Sequence, residues 1–492
     1  MDKTTIIRQP GAPNSTPGIR APLLLGGTAF ALRLLVMCLA SDPSASGDSP
    51  RYIELADGLL KSGQFARDNG EQPDTIHYPP YQLRVRNGEE QPHVPGQLRP
   101  EVMRTPGYPA FLALVGLLCL PAPAAILLQC GLAAGTVIMT YYLCLRLLAS
   151  NRLAVLAAAM VMIHPADILS ANQFLSETLF TFLWFAAIVC VVAGKTRRHL
   201  WWYAIAGILV ALGTLVRPVG ALLGILLGAW IVGESRSRKG AMMAMVLIVS
   251  SAMPVAAWMT RNARVGRGFI LSDLSTVQWG KLCGDMEMMQ AGQTRYPEDF
   301  WPHYHAFFRE VESQLGTTPS PRVRDAALRV AAGRIAAHPG PFLKVTLDSA
   351  SKTLVGHSLG DMEALFGRTY RPMGLRDYLM GRGQIREPAS TVELVLVLAW
   401  VLLNLTLATM MIVGVLRLLL QRRFGLAFLL VASVAYFTLL PQSQGVERMR
   451  VPFLGIQAIA AAAAFLPRHR RGTSSGSSPD GQLSRQDQMA SV

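Results

Sequence analysis

Residues 22–65 read PLLLGGTAFALRLLVMCLA (22–40), SDPSASG (41–47) and DSPRYIELADGLLKSGQF (48–65). The first part is apolar apart from Arg33. As a helix rising ~1.5 Å per residue it covers most of a ~30 Å hydrocarbon layer, so it reads as a membrane span. A short polar linker follows. In the third part Tyr52, Leu55, Ala56, Leu59 and Leu60 recur at helical spacing, which predicts an amphipathic helix beside the end of the span. A span, a linker and a juxtamembrane helix together predict an all-α polytopic membrane protein whose polar chemistry sits at the end of the bundle.

Working outward, nine further apolar runs lie at 122–147, 152–167, 173–194, 200–216, 218–233, 240–258, 391–416, 424–440 and 451–466, giving about ten transmembrane helices. Basic clusters at Lys195-Arg197-Arg198, Arg236-Arg238-Lys239, Arg417 with Arg422-Arg423, and Arg468-Arg470-Arg471 all fall on the cytoplasmic side if both termini are inside. The run Pro106–Leu120 is apolar but short, and counting it as a span would invert that arrangement, so it reads as an interfacial or re-entrant helix. The organisation expected is a cytoplasmic segment at 1–21, a transmembrane core at 22–258 that includes an outer loop at 41–104, a second outer loop with juxtamembrane helices at 259–390, C-terminal spans at 391–466, and a disordered cytoplasmic tail at 467–492. An amphipathic stretch from Val323 to Ala337 reads as lying along the membrane surface. Arg33, inside the first span, either snorkels or pairs within the bundle.

The chain is 51% hydrophobic, with a formal net charge of +15. The positive charge flanks apolar runs, which points to orientation in an anionic bilayer, and no zinc-finger spacing, RNP-like strand or P-loop supports a nucleic-acid partner. Five of the six cysteines lie in apolar runs and Cys283 in a loop, neither a disulfide framework nor a metal-ligand spacing. The stretch before Pro22 is polar and no small-residue cleavage site follows the first run, so that run reads as a retained span. Trp201 and Trp202 read as an interfacial belt. His164, His303, His305 and His357 are scattered and predict no metal site.

Asp48 is the candidate for chemistry, although an Asp before a helix also serves as an N-cap. Arg217, Arg261, Arg448 and Arg450 fall at outer span ends, where positive charge is disfavoured, and guanidinium groups bind phosphate in bidentate fashion. Glu177 sits at the start of an apolar run. The motif DSPRY followed by IELADGLLKSGQF resembles the first-loop motif of GT-C-type membrane glycosyltransferases, in the branch of the dolichyl-phosphate-mannose protein mannosyltransferases and lipid A aminoarabinose transferases. RTPGYPAFLAL (104–114), HPADILSANQFLSETLF (164–180), GTLVRP (213–218), MTRN (259–262), RIAAHPGPFLK (334–344) and ERMRVPFL (447–454) resemble further landmarks of that superfamily, in its order.

The resemblance implies a GT-C-like bundle with juxtamembrane helices in two outer loops. It also implies transfer of a sugar, with inversion, from a polyprenyl-phosphate-linked donor to a glycan, glycolipid or protein acceptor at the outer, periplasmic face of a bacterial inner membrane. The catalytic carboxylate falls on Asp48, and the substrate-binding set on Tyr52, Arg104, Tyr108, Glu177, Arg217, Arg261, Arg448 and Arg450. Many members carry a second acidic residue directly after the first; here that position is Ser49, a departure that leaves metal dependence open, with a divalent metal not indicated and no other cofactor implied. Expected partners are the donor, membrane lipids and the acceptor, with 66–103 the segment for acceptor choice. Two rival functions are a flippase for lipid-linked sugars and a non-catalytic assembly subunit. No internal repeat of the transporter kind is visible.

Overall fold

The computed structural model describes residues 19–44, 48–68, 98–197, 199–266, 268–293, 299–315, 323–366, 391–440 and 447–467. The expected cytoplasmic tail after Pro467 and most of the acceptor segment, including HYPPYQ (77–82), lie outside these residues.

The chain is an integral membrane protein built as a helical bundle. In order, α1 is Arg20–Leu39 and α2 is Ser49–Ser62; α3 is Gly107–Leu117, α4 Pro123–Leu148, α5 Asn151–Met162 and α6 Pro165–Ala171. Next come α7 Glu177–Arg197, α8 Trp201–Val216, a 3-10 turn Pro218–Leu222 continuing into α9 Leu223–Ser235, and α10 Arg238–Arg264. The second loop holds α11 Leu274–Gln290, α12 Phe300–Leu315, α13 Val323–Ala337, α14 Pro339–Val355 and α15 Leu359–Leu365. The chain returns through α16 Thr391–Leu420, α17 Phe424–Leu439, a 3-10 turn Glu447–Arg450 and α18 Val451–Ala463. One departure from an all-helical chain is a short antiparallel ladder, Ala66–Asp68 with Leu98–Pro100.

Every apolar run read as a span is helical. Six are long enough to cross alone, namely α1, α4, α7, α9 with its 3-10 turn, α10 and α16; α5 and α6 reach that length only together, bent by 57° at their break, the geometry of a broken span or a re-entrant loop. The other three are shorter: α8 and α17 have 16 residues each, and α18 has 13. The short run after Pro106 forms α3, whose 11 residues fall short of a crossing.

α7 and α18 occupy the centre, and all thirteen residues of α18 are buried. α1, α10 and α16 expose most of their apolar surface, as helices facing lipid do. Close approach of α16 to α18 depends on Gly414, where a β-carbon would collide with the Ala460 carbonyl. At the basic end of the bundle Arg417 donates to the Leu466 carbonyl (2.6 Å), Gln421 to Pro467 (3.2 Å), and Arg423 to Leu147. Part of the basic charge therefore serves carbonyls left unpaired at helix C-termini.

One open reading is decided and one expectation is corrected. Arg33 takes the second of its two readings and does not snorkel. It is fully buried, pairs with Asp167 of α6, and donates to the Ala29 (2.9 Å) and Met162 (3.3 Å) carbonyls. An arginine held away from the helix ends finds its counter-charge inside the bundle. Val323–Ala337 does not present its apolar face to the membrane surface. Ala326, Ala327, Val330 and Ala331 pack against Phe307, Val311 and Cys283 of α11 and α12, closing a small core outside the membrane bundle. Arg334 ties that unit by pairing with both Glu287 and Glu310 while lying over the Phe307 ring.

Candidate active site

The end of the bundle opposite the basic clusters collects the polar side chains. Asp48 occupies the N-cap position of α2, yet its side chain caps nothing. The reason is local: its backbone is already helical (φ −90°, ψ −23°) rather than extended as a cap needs, and Pro50 at the second helical position has no N–H to offer. The carboxylate turns instead to Arg104, whose Nη2 lies 2.6 Å from Oδ1, and to Arg448, whose Nη2 lies 3.5 Å from Oδ2. Ser49 faces away, donating to the Phe174 carbonyl at 3.1 Å.

Arg104 is placed by a turn before α3. The Glu101 carboxylate accepts from the Met103 (2.5 Å) and Arg104 (3.2 Å) amides, and the Thr105 hydroxyl donates to the Val216 carbonyl (3.3 Å). Gly107 permits this seat: a β-carbon there would lie 2.7 Å from the Leu215 carbonyl carbon and the Val216 nitrogen.

Glu177 opens α7 and is 2% exposed. Its Oε1 lies 2.7 Å from Arg217 Nη1 and 3.8 Å from Arg448 Nε. Arg217 is held in extended backbone between α8 and the following 3-10 turn, and it also donates to the Ser176 hydroxyl at 3.1 Å. Arg448, in the turn before α18, thus stands between Asp48 and Glu177.

The backbone linking the bent span to Glu177 is held by side chains from several elements. Gln129 of α4 donates to the Ala171 (3.2 Å) and Gln173 (2.7 Å) carbonyls and accepts from the Tyr108 hydroxyl (2.6 Å). The Tyr108 ring meets Tyr52 edge to face at 4.8 Å, and the Tyr52 hydroxyl lies 3.3 Å from that of Ser176. Tyr52 and Tyr108 therefore form the wall beneath the charged groups.

The charges set the state of Asp48. Burial alone would raise its pKa, but Arg104, Arg448, Arg217 and Lys281 outweigh burial and hold it at about 2. The carboxylate is ionised throughout the physiological range. Lys281 comes from α11, whose start is anchored beside Arg104 by the Ser272 hydroxyl donating to the Met103 carbonyl (2.6 Å) and by the Asp273 amide donating to that of Val102 (3.0 Å). Asp361 of α15 stands near Arg448 and Glu177, and burial raises its pKa despite Arg448.

Of the nine residues expected at the site, Asp48, Tyr52, Arg104, Tyr108, Glu177, Arg217 and Arg448 come together. Two sit elsewhere. Arg450 is fully buried and donates to the Thr353 carbonyl (2.8 and 3.0 Å), with His164 at 3.3 Å. Arg261 donates to the Phe65 and Glu101 carbonyls, both at 2.8 Å, and lies over Trp258, fastening the two ends of the segment that joins α2 to α3. Lys281, Gln129, Ser176 and Asp361 were not anticipated. No spacing links them to Asp48; only the folded chain does. Among the described residues no group of three or more His, Cys, Asp or Glu side chains could hold a metal ion.

Four basic groups around two principal carboxylates leave an excess of positive charge. An anion can be bound there beside an ionised carboxylate.

Comparison with known proteins agrees with the resemblance seen in the sequence. Residues 103–258 match the family model described as dolichyl-phosphate-mannose-protein mannosyltransferase. This region contains Arg104, Tyr108, Glu177 and Arg217. Among solved structures, the chain is similar to the archaeal oligosaccharyltransferase AglB from Archaeoglobus fulgidus in complex with an inhibitory peptide and a dolichol-phosphate (14% identity, TM-score 0.47, 90% of this chain and 49% of that one). It is also similar to ArnT from Cupriavidus metallidurans bound to undecaprenyl phosphate (11% identity, TM-score 0.37, 90% of this chain and 78% of that one). The chain spans about half the length of the AglB chain it matches. No curated protein matches it.

Proposed function

We propose that this protein transfers a sugar, with inversion, from a polyprenyl-phosphate-linked donor to an acceptor hydroxyl or amine at the non-cytoplasmic face of a bacterial inner membrane. The single observation that carries the reading is the set Asp48, Arg448 and Glu177. An ionised carboxylate and a buried one flank a shared guanidinium, with Arg104 and Arg217 close by.

Asp48 is the general base. It takes the proton from the acceptor as the acceptor oxygen or nitrogen attacks the anomeric carbon. The bond from that carbon to the phosphate oxygen breaks, and the electron pair leaves with the polyprenyl phosphate. Attack opposite the leaving group inverts the centre. Positioned general bases of this kind contribute ~10²–10⁴ in rate. The leaving phosphate needs charge stabilisation more than a proton, and Arg448 supplies it with Arg104 or Arg217.

A carboxylate held at about 2 is a weak base. Donor binding relieves that. A phosphate competing for Arg104 and Arg448 withdraws the cations that depress Asp48 and strengthens its hold on a proton. The prenyl tail stays in lipid while the sugar enters the loop end. The four basic clusters support a reading with both termini in the cytoplasm, and on this reading the segment between α2 and α3 chooses the acceptor.

The test is transfer of labelled sugar from a polyprenyl-phosphate donor pool in membranes, comparing wild type with Asp48→Asn at matched expression. Loss of transfer in the variant alone is expected. Equal transfer in both removes Asp48 from the mechanism.

A further inference from the structure

Glu177 is 2% exposed, and its two oxygens are treated differently. Oε1 faces Arg217 at 2.7 Å and Arg448 at 3.8 Å, whereas Oε2 is buried and accepts no hydrogen bond. Buried carboxylate oxygens are almost always served by donors. Of the groups beside it in the chain, the Thr178 hydroxyl is also buried and unpartnered, but stands one position along α7 and so not on the same helix face; the others are committed. The Ser176 hydroxyl receives from Arg217 and lies beside Tyr52, and the amide of Phe180 and the hydroxyl of Thr181, one turn on, serve the carbonyls of Ser176 and Glu177. The vacant acceptor therefore lies within the charged cluster, on the same carboxylate that shares Arg448 with Asp48.

We infer that Glu177 Oε2 is the receptor for a hydrogen-bond donor on the transferred sugar, a hydroxyl or ammonium group, so that the site recognises the sugar as well as the phosphate of its lipid-linked donor. The inference rests on the function proposed above. Its chemistry is complementary. The ligand must bring an anion for the guanidinium groups and a donor for Oε2, and a sugar attached to a lipid phosphate carries both a short distance apart. Bare lipid phosphate satisfies only the first. Asp361, standing near Glu177 and Arg448, adds a further carboxyl group to the same cluster. A hydroxyl bound to Oε2 would also fix the rotation of the sugar, presenting its anomeric carbon to an acceptor activated at Asp48.

The two roles open to Glu177 predict opposite signs. As a carboxylate it competes with phosphate for Arg217 and Arg448; as a sugar receptor it favours the sugar-bearing lipid. Binding of undecaprenyl phosphate and of its mannosyl, glucosyl, galactosyl and aminoarabinosyl derivatives is measured on the purified full chain in detergent. Wild type is expected to prefer at least one sugar-bearing lipid over bare undecaprenyl phosphate by tenfold or more. In Glu177→Gln, bare undecaprenyl phosphate binds more tightly by roughly threefold, because a competing charge is gone, while the preference for the sugar collapses. Glu177→Asp, which keeps the charge but withdraws the oxygens, loses the sugar preference without the gain on bare lipid.

A parallel weakening of all lipids in both Glu177 variants would assign Glu177 a purely structural role and overturn the inference. So would an undiminished sugar preference in Glu177→Gln, or a wild type that binds bare lipid phosphate and gains from no sugar. Failure of wild type to bind any polyprenyl phosphate would instead overturn the functional reading on which the inference stands.

Discussion

Replacing Asp167 by Leu leaves Arg33 charged, fully buried and without its counter-ion. Arg33 would keep only the Ala29 and Met162 carbonyls, at 2.9 and 3.3 Å, and its Nε has no partner even in the intact pair. Breaking one side of a buried pair costs ~3–5 kcal/mol because the remaining charge is stranded. Arg33→Met strands Asp167, 2% exposed, in the same way. The double variant Arg33→Met with Asp167→Leu removes both charges and fills the space with apolar atoms of similar size, so it should fall within ~1–2 kcal/mol of wild type. The coupling energy is then several kcal/mol. The assay is unfolding by sodium dodecyl sulfate titrated into dodecyl maltoside micelles, followed by tryptophan fluorescence, for all four members of the cycle. Single variants that each cost under ~1 kcal/mol, with effects that add in the double, would refute the reasoning; they would mean that water reaches the pair.

Three other outcomes are expected. Arg104→Gln should raise the pKa of Asp48, because burial pushes it up and Arg104 opposes that push most strongly. Wild-type kcat/KM for transfer, which reports the free enzyme, should be flat on this group's account from about pH 8 down to about 4. The variant should show an acid limb moved upward, and an unchanged profile counts against Asp48 as the base. The same depressed pKa makes Asp48 a source of stability above the ordinary value of 3.8, lost as pH falls through about 2. Gly107→Ala should cost ~1–3 kcal/mol by forcing α3 off the α8 backbone, and should lower transfer by displacing Arg104; wild-type stability in the detergent titration would show that the contact yields. Burial pushes the Cys283 thiol up to about 12, so maleimide should label it only after unfolding, whereas Arg334→Ala, which opens the α11–α13 unit, should speed labelling.

The spans were legible because each apolar run reports its own environment, and all the runs are helical. Asp48 was legible for the same local reason, being a polar residue between a span and an amphipathic helix. What was not legible depends on contacts across the chain. The cap at Asp48 was a fair statistical reading, defeated by a helical backbone at Asp48, the missing N–H of Pro50 and the pull of Arg104. The amphipathic Val323–Ala337 is equally suited to a bilayer surface and to two partner helices, and only the aromatic face of α12 decides between them. Arg448 and Arg450 are two residues apart in a 3-10 turn and point to different places, one to Asp48 and one to the Thr353 carbonyl, a distinction no spacing rule makes. Lys281 reaches the site because Ser272 anchors the start of its helix to Met103, a contact between distant parts of the chain.

α18 has a consequence for how the protein is made. At ~1.5 Å per residue its thirteen residues cover about 20 Å, short of a ~30 Å hydrocarbon layer, and every one is buried by other helices. A helix this short has little reason to remain in lipid by itself, and its seat does not exist until α4, α5, α7, α16 and α17 have gathered around it. Arg448 stands in the turn that leads into this helix, so its place between Asp48 and Glu177 depends on the docking of α18 against those five helices. Under the proposed function, a chain in which α18 has not docked would lack the guanidinium that the two carboxylates share.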